Sequence, residues 1–241
     1  MNRIRLTTGP AAIFGAMFVV ALIVLLPLRL AMGWFDLGDT GLTAREVRGS
    51  IWSGSLREAS FGGVALGDLH AGLSPFPLLI GRARIDLAGQ SAGPARPFRG
   101  AISVSRHSFG VDDMSATLPA GTVFAPVPVS ALDLDDVSIR FQDGHCEKAE
   151  GRVRATLSGD LAGINLGQGM SGSARCDAGA LLLPLVSQAG TESIALRLWG
   201  TGRFRAELTV QPSDPAEIQK LVLGGFQASA KGYVLAIEGK F

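Results

Sequence analysis

The chain has 241 residues, a formal net charge of +1, 32 glycines, 12 prolines and two cysteines. A charge so close to zero gives no basis for a polyanionic partner such as nucleic acid. The length suffices for one large domain or two small ones with a real core. The abundance of Gly, Pro, Val, Ile, Leu and Thr, with few long helix-forming stretches, leans towards β structure.

Residues 10–28 carry no charge and almost no polarity, with Arg3 and Arg5 before them and Arg29 after. As a helix this run would cover roughly 28 Å, close to the hydrocarbon thickness of a bilayer. The sequence therefore predicts a cytoplasmic tail over 1–9, a transmembrane anchor over 10–33 and an exported domain over 34–241. The basic flank keeps the amino terminus in the cytoplasm, with Trp34 and Phe35 at the far interface. The competing reading is a cleaved signal peptide, because Ala31-Met32-Gly33 offers a small-x-small site before Trp34. Against it, the apolar run exceeds the usual signal core, and Pro27 and Arg29 separate that core from the site. Both readings export the remainder. In an oxidising periplasm, a disulfide between Cys146 and Cys176 is the expectation, two unpaired buried thiols being the alternative.

Beyond the anchor, runs of period-two alternation punctuated by Gly, Ser-Gly and Pro predict strands. They fall at 43–48, 56–61, 64–73, 81–88, 99–105, 109–118, 131–142, 150–158, 180–184, 194–199, 202–211 and 232–241. Residues 74–80, with Pro75 and Pro77, form a turn or a single helical turn. Residues 89–98 and 125–128 read as loops. Asp214 to Gly224 is a helix, with an Asp cap, Pro at the first helical position and a terminal Gly.

Two patterns recur. The first is apolar-x-Asp-apolar-x-apolar-x-apolar, at Leu66 to Leu73, Val111 to Leu118 and Leu134 to Phe141. The second is Gly-Arg-x-Arg-x-x-Leu, at Gly81 to Leu87, Gly151 to Leu157 and Gly202 to Leu208. In each of the latter the two arginines share one face, and three apolar residues such as Val153, Ala155 and Leu157 share the other. The patterns describe antiparallel strands covered on one side, built from a repeated strand-turn-strand unit. Their uneven spacing excludes a strict solenoid.

No constellation of catalytic or metal-binding type emerges. His70, His107 and His145 are scattered without ligand spacing. Ser53 and Ser171 lie in Gly-rich turns that lack a strand-elbow-helix frame. Asp133, Asp135 and Asp136 raise calcium as a reading, but alternation puts Asp133 and Asp135 on the solvent face and no coordinating loop follows. Adjacent Asp112 and Asp113 should point to opposite faces. The sequence therefore predicts no catalytic, cofactor or metal site. One cluster stands out, Arg48-Gly49-Ser50-Ile51-Trp52-Ser53-Gly54. Its plainer reading is a tight corner, with Gly at positive φ and Trp52 plugging the core. The alternative makes Trp52 an aromatic contact for a partner.

The order of these features resembles the type II secretion system protein N (GspN) family. The resemblance rests on the basic start, one apolar helix ending in Leu-Pro-Leu-Arg-Leu, and the turn at 49–54. It continues through Gly62-Gly63-Val64-Ala65-Leu66-Gly67-Asp68-Leu69, Leu73-Ser74-Pro75, and Leu78-Leu79-Ile80-Gly81-Arg82. Glu150-Gly151-Arg152-Val153, Cys176-Asp177-Ala178-Gly179-Ala180-Leu181 and the terminal strand complete it. It implies a non-enzymatic accessory protein of the inner membrane and periplasm, a scaffold or assembly subunit. Such a subunit would contact the inner-membrane platform and the secretin.

The fold expectation is thus mainly β: one transmembrane helix, then a curved antiparallel sheet with one or two short helices. Two rival readings use the same facts. An AsmA-like β-groove would leave the apolar face as an open trough for lipid, whereas a scaffold would fill it with side chains. An outer-membrane barrel would explain a final strand ending in Phe241, but it conflicts with an anchor and with one Tyr and three Trp.

Overall fold

The computed structural model describes residues 10–30, 42–61, 64–90, 97–119, 129–157, 160–161, 164–165, 169–212 and 214–240. The apolar start forms helix α1, Pro10–Val24. Its 15 residues span about 22 Å, short of a hydrocarbon core of ~30 Å. Among the described residues no helix is long and apolar enough to cross a membrane. The described residues therefore do not show the transmembrane helix expected through 10–33. Pro27 lacks an amide hydrogen and disfavours helical geometry at Leu26. The chain there leaves the helix and joins the sheet: Pro27 bridges Ser50, and the Ile51 amide donates to the Leu26 carbonyl at 3.1 Å. The expected tail 1–9 and the segment Ala31 to Phe35 lie outside the described residues.

The rest is a meander. Strands β1 (Leu42–Thr43) and β2 (Glu46–Ser50) both pair with β3 (Ser53–Phe61). There follow β4 (Val64–Leu73), the short helix α2 (Pro75–Leu78), β5 (Ala83–Gln90) and β6 (Arg99–Val104). Next come β7 (Ser108–Pro119), β8 (Val129–Gln142) and β9 (His145–Leu157). A separate hairpin, β10 (Asp160–Leu161) and β11 (Ile164–Asn165), precedes β12 (Gly169–Ser173), β13 (Arg175–Asp177) and β14 (Ala180–Ser187). The chain ends with β15 (Glu192–Leu198), β16 (Arg203–Val210), helix α3 (Pro215–Leu223), β17 (Gln227–Ser229) and β18 (Gly232–Lys240).

Apart from that hairpin, the strands form one sheet ordered β1-β3-β4-β5-β6-β7-β8-β9-β12-β14-β15-β16-β18-β17, with β2 on β3 and β13 on β14. The pairing is antiparallel throughout, and among the described residues the edges β1/β2 and β17 do not pair with each other. The sheet is therefore open, which removes the barrel reading. In α3, the Asp214 carboxylate caps the Ala216 amide at 2.9 Å and Pro215 takes the first position, as the sequence predicts. Sequence alternation did not reveal β12, β13 or β17. Residues 125–128, read as a loop, lie outside the described residues, and β5 runs to Gln90 into the stretch read as loop 89–98.

In two of its three copies the recurring acidic pattern proves to be a β-bulge; in the first, Asp68 instead stands opposite a bulge on β3. Asp113 (φ 50°) and Asp136 (φ 50°) occupy left-handed backbone, as does Glu58 (φ 48°) in Leu56-Arg57-Glu58-Ala59, which reads the same way. Each sits where the register shifts, two residues facing one. The amide freed at each bulge finds a side chain on the neighbouring strand. Asp113 N donates to Ser138 Oγ at 2.9 Å, Asp136 N to Ser115 Oγ at 3.1 Å, and Glu58 N to Asp68 Oδ1 at 3.0 Å. Both hydroxyls donate back, Ser138 Oγ to Asp113 Oδ1 and Ser115 Oγ to Asp136 Oδ1, each at 3.2 Å. Two reciprocal bulges thus flank the Met114–Val137 pair on β7 and β8. Bulges bend a strand and increase its twist, so the repeat encodes curvature.

That curvature closes the apolar face. In a flat sheet β8 and β16 would lie about 24 Å apart, five strand spacings. Instead Val129 and Leu132 of β8, Ala155 of β9 and Ala206 and Leu208 of β16 line one apolar cavity of about 30 Å³. The large core runs from Met114 to Val210 and takes in Leu221 of α3 and Phe226. Each large side chain buried there contributes about 1.5–3 kcal/mol. A smaller cluster, Leu56, Ala59 and Leu69, is covered by Leu28 from beyond α1 and by Phe98, which also touches the large core. The predicted one-sided arrangement of the Gly-Arg-x-Arg repeats holds in the second and third, where Val153, Ala155, Leu157, Ala206 and Leu208 are buried, whereas Ala83, Ile85 and Leu87 of the first are only half-buried.

Candidate interaction surface

The Gly-x-Ile-Trp-x-Gly segment forms the turn joining β2 to β3. Gly49 takes φ 90°, and a side chain on it would lie 2.5 Å from the Ser53 carbonyl oxygen, so the corner needs glycine. Gly54 is buried beneath Leu28. Trp52, held half-buried at the tip, lines an open basin of about 460 Å³ on the face of β3 to β7. His70, Arg84, Asp86, Arg99, Asp112 and Asp113 line it too. The expectation that Asp112 and Asp113 diverge is corrected here. The positive φ at Asp113 breaks the alternation, and both residues border the same basin.

Arg84 is shared between two of the basin's carboxylates. Arg84 donates to Asp86 Oδ1 at 3.0 Å and to Asp112 Oδ2 at 3.4 Å. Ser74 Oγ donates to Asp86 Oδ2 at 2.6 Å, and Ser103 Oγ to Asp112 Oδ2 at 2.5 Å. The Ser74 hydroxyl, and after it the Arg84 guanidinium, hold the Asp86 carboxyl below its ordinary range against an opposing desolvation. The Arg84 guanidinium is raised, chiefly by its hydrogen bond to Asp86. Because the folded pKa of Asp86 lies below the unfolded one, its contribution is complete above the unfolded value and is lost as pH falls through the folded one. The unfolding midpoint should therefore drop below about pH 4, and Asp86→Asn should flatten that part of the profile. Denaturant titrations between pH 3 and 6 on both proteins read this out, and superimposable profiles would refute it.

The remaining polar candidates stay apart. His107 pairs with Asp143 at 3.1 Å on an exposed turn. His145 lies against Gly179, and His70 sits in the basin. Ser53 receives nothing resembling a base; its amide donates to Ser50 Oγ. Ser171 is an exposed strand residue opposite Arg154. Asp133 accepts from Thr117 Oγ1 at 2.6 Å and faces Arg154 across the ladder. Among the described residues no group of three His, Cys, Asp or Glu side chains could hold a metal ion.

Cys146 and Cys176 form a disulfide, with Cα atoms 5.5 Å apart. The other test set by the sequence concerned the apolar face. Side chains of β8, β9, β14, β15 and β16 leave a cavity of about 30 Å³ between them. On this face the side chains from Met114 to Val210 pack into one core cluster.

A continuous antiparallel sheet, tied by a disulfide and fronted by an uncovered apolar helix, defines a protein that presents faces, turns and edges to its surroundings. More specifically, the chain belongs to the family described as type II secretion system (T2SS), protein N, whose model matches residues 40–236. It is 26% identical over 170 residues to "Type II secretion system protein N" of Vibrio cholerae serotype O1, covering 66% of this chain and 67% of that one. No solved structure gives a significant match. The match spans the sheet from just before β1 into β18, so the family's common element is the whole meander. Membership assigns the chain to type II secretion, a protein-transport system of the cell envelope.

Proposed function

We propose that this chain is an accessory scaffold or assembly subunit of type II secretion, held at the inner membrane by its apolar start with the sheet in the periplasm. The carrying observation is the family match across the sheet. Its support in the molecule is α1, whose large apolar side chains, Phe14, Met17 and Phe18 among them, are exposed. A helix apolar all round and uncovered by protein fits lipid. The division follows as 1–9 cytoplasmic, 10–33 anchor and 34–241 periplasmic. In this role the subunit catalyses no reaction. It contacts the inner-membrane platform and the periplasmic part of the secretin, and Trp52 on the basin rim is the residue offered to them.

In-cell photo-crosslinking with probes at Trp52, His107 and Lys231 tests this reading. Trp52 should give adducts to platform or secretin subunits that vanish when those subunits are deleted. Adducts to lipid alone, from all three positions, would sink the scaffold role.

A further inference from the structure

The turn between β4 and β5 carries the most exposed apolar cluster on the sheet. Phe76, Leu79 and Ile80 are 81%, 84% and 79% exposed, and α2 buries none of its residues. We propose that this turn is a second membrane contact, docking one end of the sheet onto the phospholipid bilayer that receives α1. The inference rests on the reading that α1 is inserted in that bilayer.

Three observations carry it. The first is position. The Leu73 amide at the start of the turn donates to Ile51 O at 2.9 Å, and the Ile51 amide donates to Leu26 O at 3.1 Å. Two backbone bonds thus connect the turn to the end of the apolar segment, and both leave the sheet at the same end. The second is backbone satisfaction. Leu79 N donates to Phe76 O, Ile80 N and Arg82 N to Pro77 O, and Gly81 N to Leu78 O, at 3.0–3.2 Å. Pro75 and Pro77 have no amide to satisfy. A turn with these four amides bonded within it enters an apolar medium at less cost than an open loop. The third is charge. Ser74 to Gly81 contains no ionisable side chain, while Arg82 follows it and exposed Arg29 and Arg106 stand on neighbouring segments at that end. An apolar tip with a basic rim suits anionic headgroups better than a protein groove, because the rim adds attraction at the depth where lipid phosphates lie.

The test uses the full chain with its disulfide intact, in vesicles of phosphatidylethanolamine and phosphatidylglycerol doped with nitroxide-labelled lipid. An environment-sensitive fluorophore is attached at one added cysteine: Leu79→Cys on the turn, Phe18→Cys on α1, or Leu223→Cys on α3. Leu223 is 88% exposed and follows the opposite end of β16, so it reports water. These sites are exposed, so the labels leave the fold intact. Quenching at Leu79 should approach that at Phe18 and exceed that at Leu223 by about twofold or more, with a blue-shifted emission. Quenching at Phe18 with Leu79 matching Leu223 would overturn the docking turn and leave the anchor standing. Phe18 matching Leu223 would overturn the anchored reading and this inference together. A Leu79 label that stays wet in vesicles yet crosslinks to a secretion subunit in cells would assign the turn to a protein and overturn the lipid contact.

Discussion

Full-length protein carrying Cys146→Ala and Cys176→Ala together is expected to unfold with about 3 to 4 kcal/mol less free energy than the parent. The bridge closes a loop with a sequence separation of 30, and cross-linking a loop of that size removes roughly this much entropy from the unfolded chain. Its position explains why the sheet relies on it. The ladder between β9 and β12 ends at Ser173↔Arg152, where Gly151 takes φ 109° opposite the Asp136 bulge. Past that point β13 pairs with β14 alone. The disulfide and the bond from Cys146 N to Gly179 O, 2.8 Å, take over from the missing rungs. Cys146 is also buried within the large core, so truncation removes packing as well. Urea unfolding of parent and double variant in the same detergent measures the difference. A loss under about 1 kcal/mol would show that packing alone holds β9 to β13.

Much of the sheet was legible because one face is buried and the other is wet. Residues 153–157 and Arg203–Val210 alternate cleanly, and Asp214, Pro215 and Gly224 mark their helix by chemistry that needs no tertiary context. β12 was not legible: Gly169-Met170-Ser171-Gly172-Ser173 offers one large apolar residue, and its placement depends on the strands either side. β17 was invisible for a related reason, since Gln227, Ala228 and Ser229 are all exposed at an edge. The start of β9 was missed although Asp143-Gly144 is a strong two-residue hairpin signal; both take positive φ, 48° and 80°. The acidic octets were visible as a repeat, but their meaning was not. A bulge exists only against a partner strand, and the Ser138 and Ser115 hydroxyls that satisfy it are supplied across the ladder. At the candidate surface, the corner around Trp52 was readable from its glycines. The basin was not, because His70, Arg84, Asp86, Arg99 and Asp112 come from four different strands. The length of the apolar helix was overread because hydropathy counts residues and takes no account of Pro27 delivering Leu28 to the sheet.

Gly172→Ala is expected to cost about 3 kcal/mol, the upper end of ordinary overpacking, and Gly172→Val to leave no stably folded protein. The reason lies in Pro184, a proline in the interior of β14 that contributes no amide hydrogen to the ladder. The β12–β14 ladder runs through Met170↔Ser187 and Ser171↔Val186, then breaks, and pairing resumes in β13 at Arg175↔Leu182. Gly172 sits at the break, and there the two backbones close in. A Cβ on Gly172 would lie 1.8 Å from the Pro184 carbonyl oxygen and 2.8 Å from its carbon. Those are backbone atoms, so no side-chain rotation relieves the clash; a strand must move, and both neighbours of β12 lie in the buried core. Gly169→Ala is the matched control on the same strand, its nearest obstacle being Ala155 O at 3.9 Å, and it should fall within about 0.5 kcal/mol of the parent. Adding Pro184→Ala to Gly172→Ala should recover little, because the obstacle is the carbonyl, which alanine keeps. Urea midpoints for the four proteins decide the matter. If Gly172→Ala unfolds with Gly169→Ala, or if Pro184→Ala restores it fully, the close approach of β12 to β14 is not what the glycine is for.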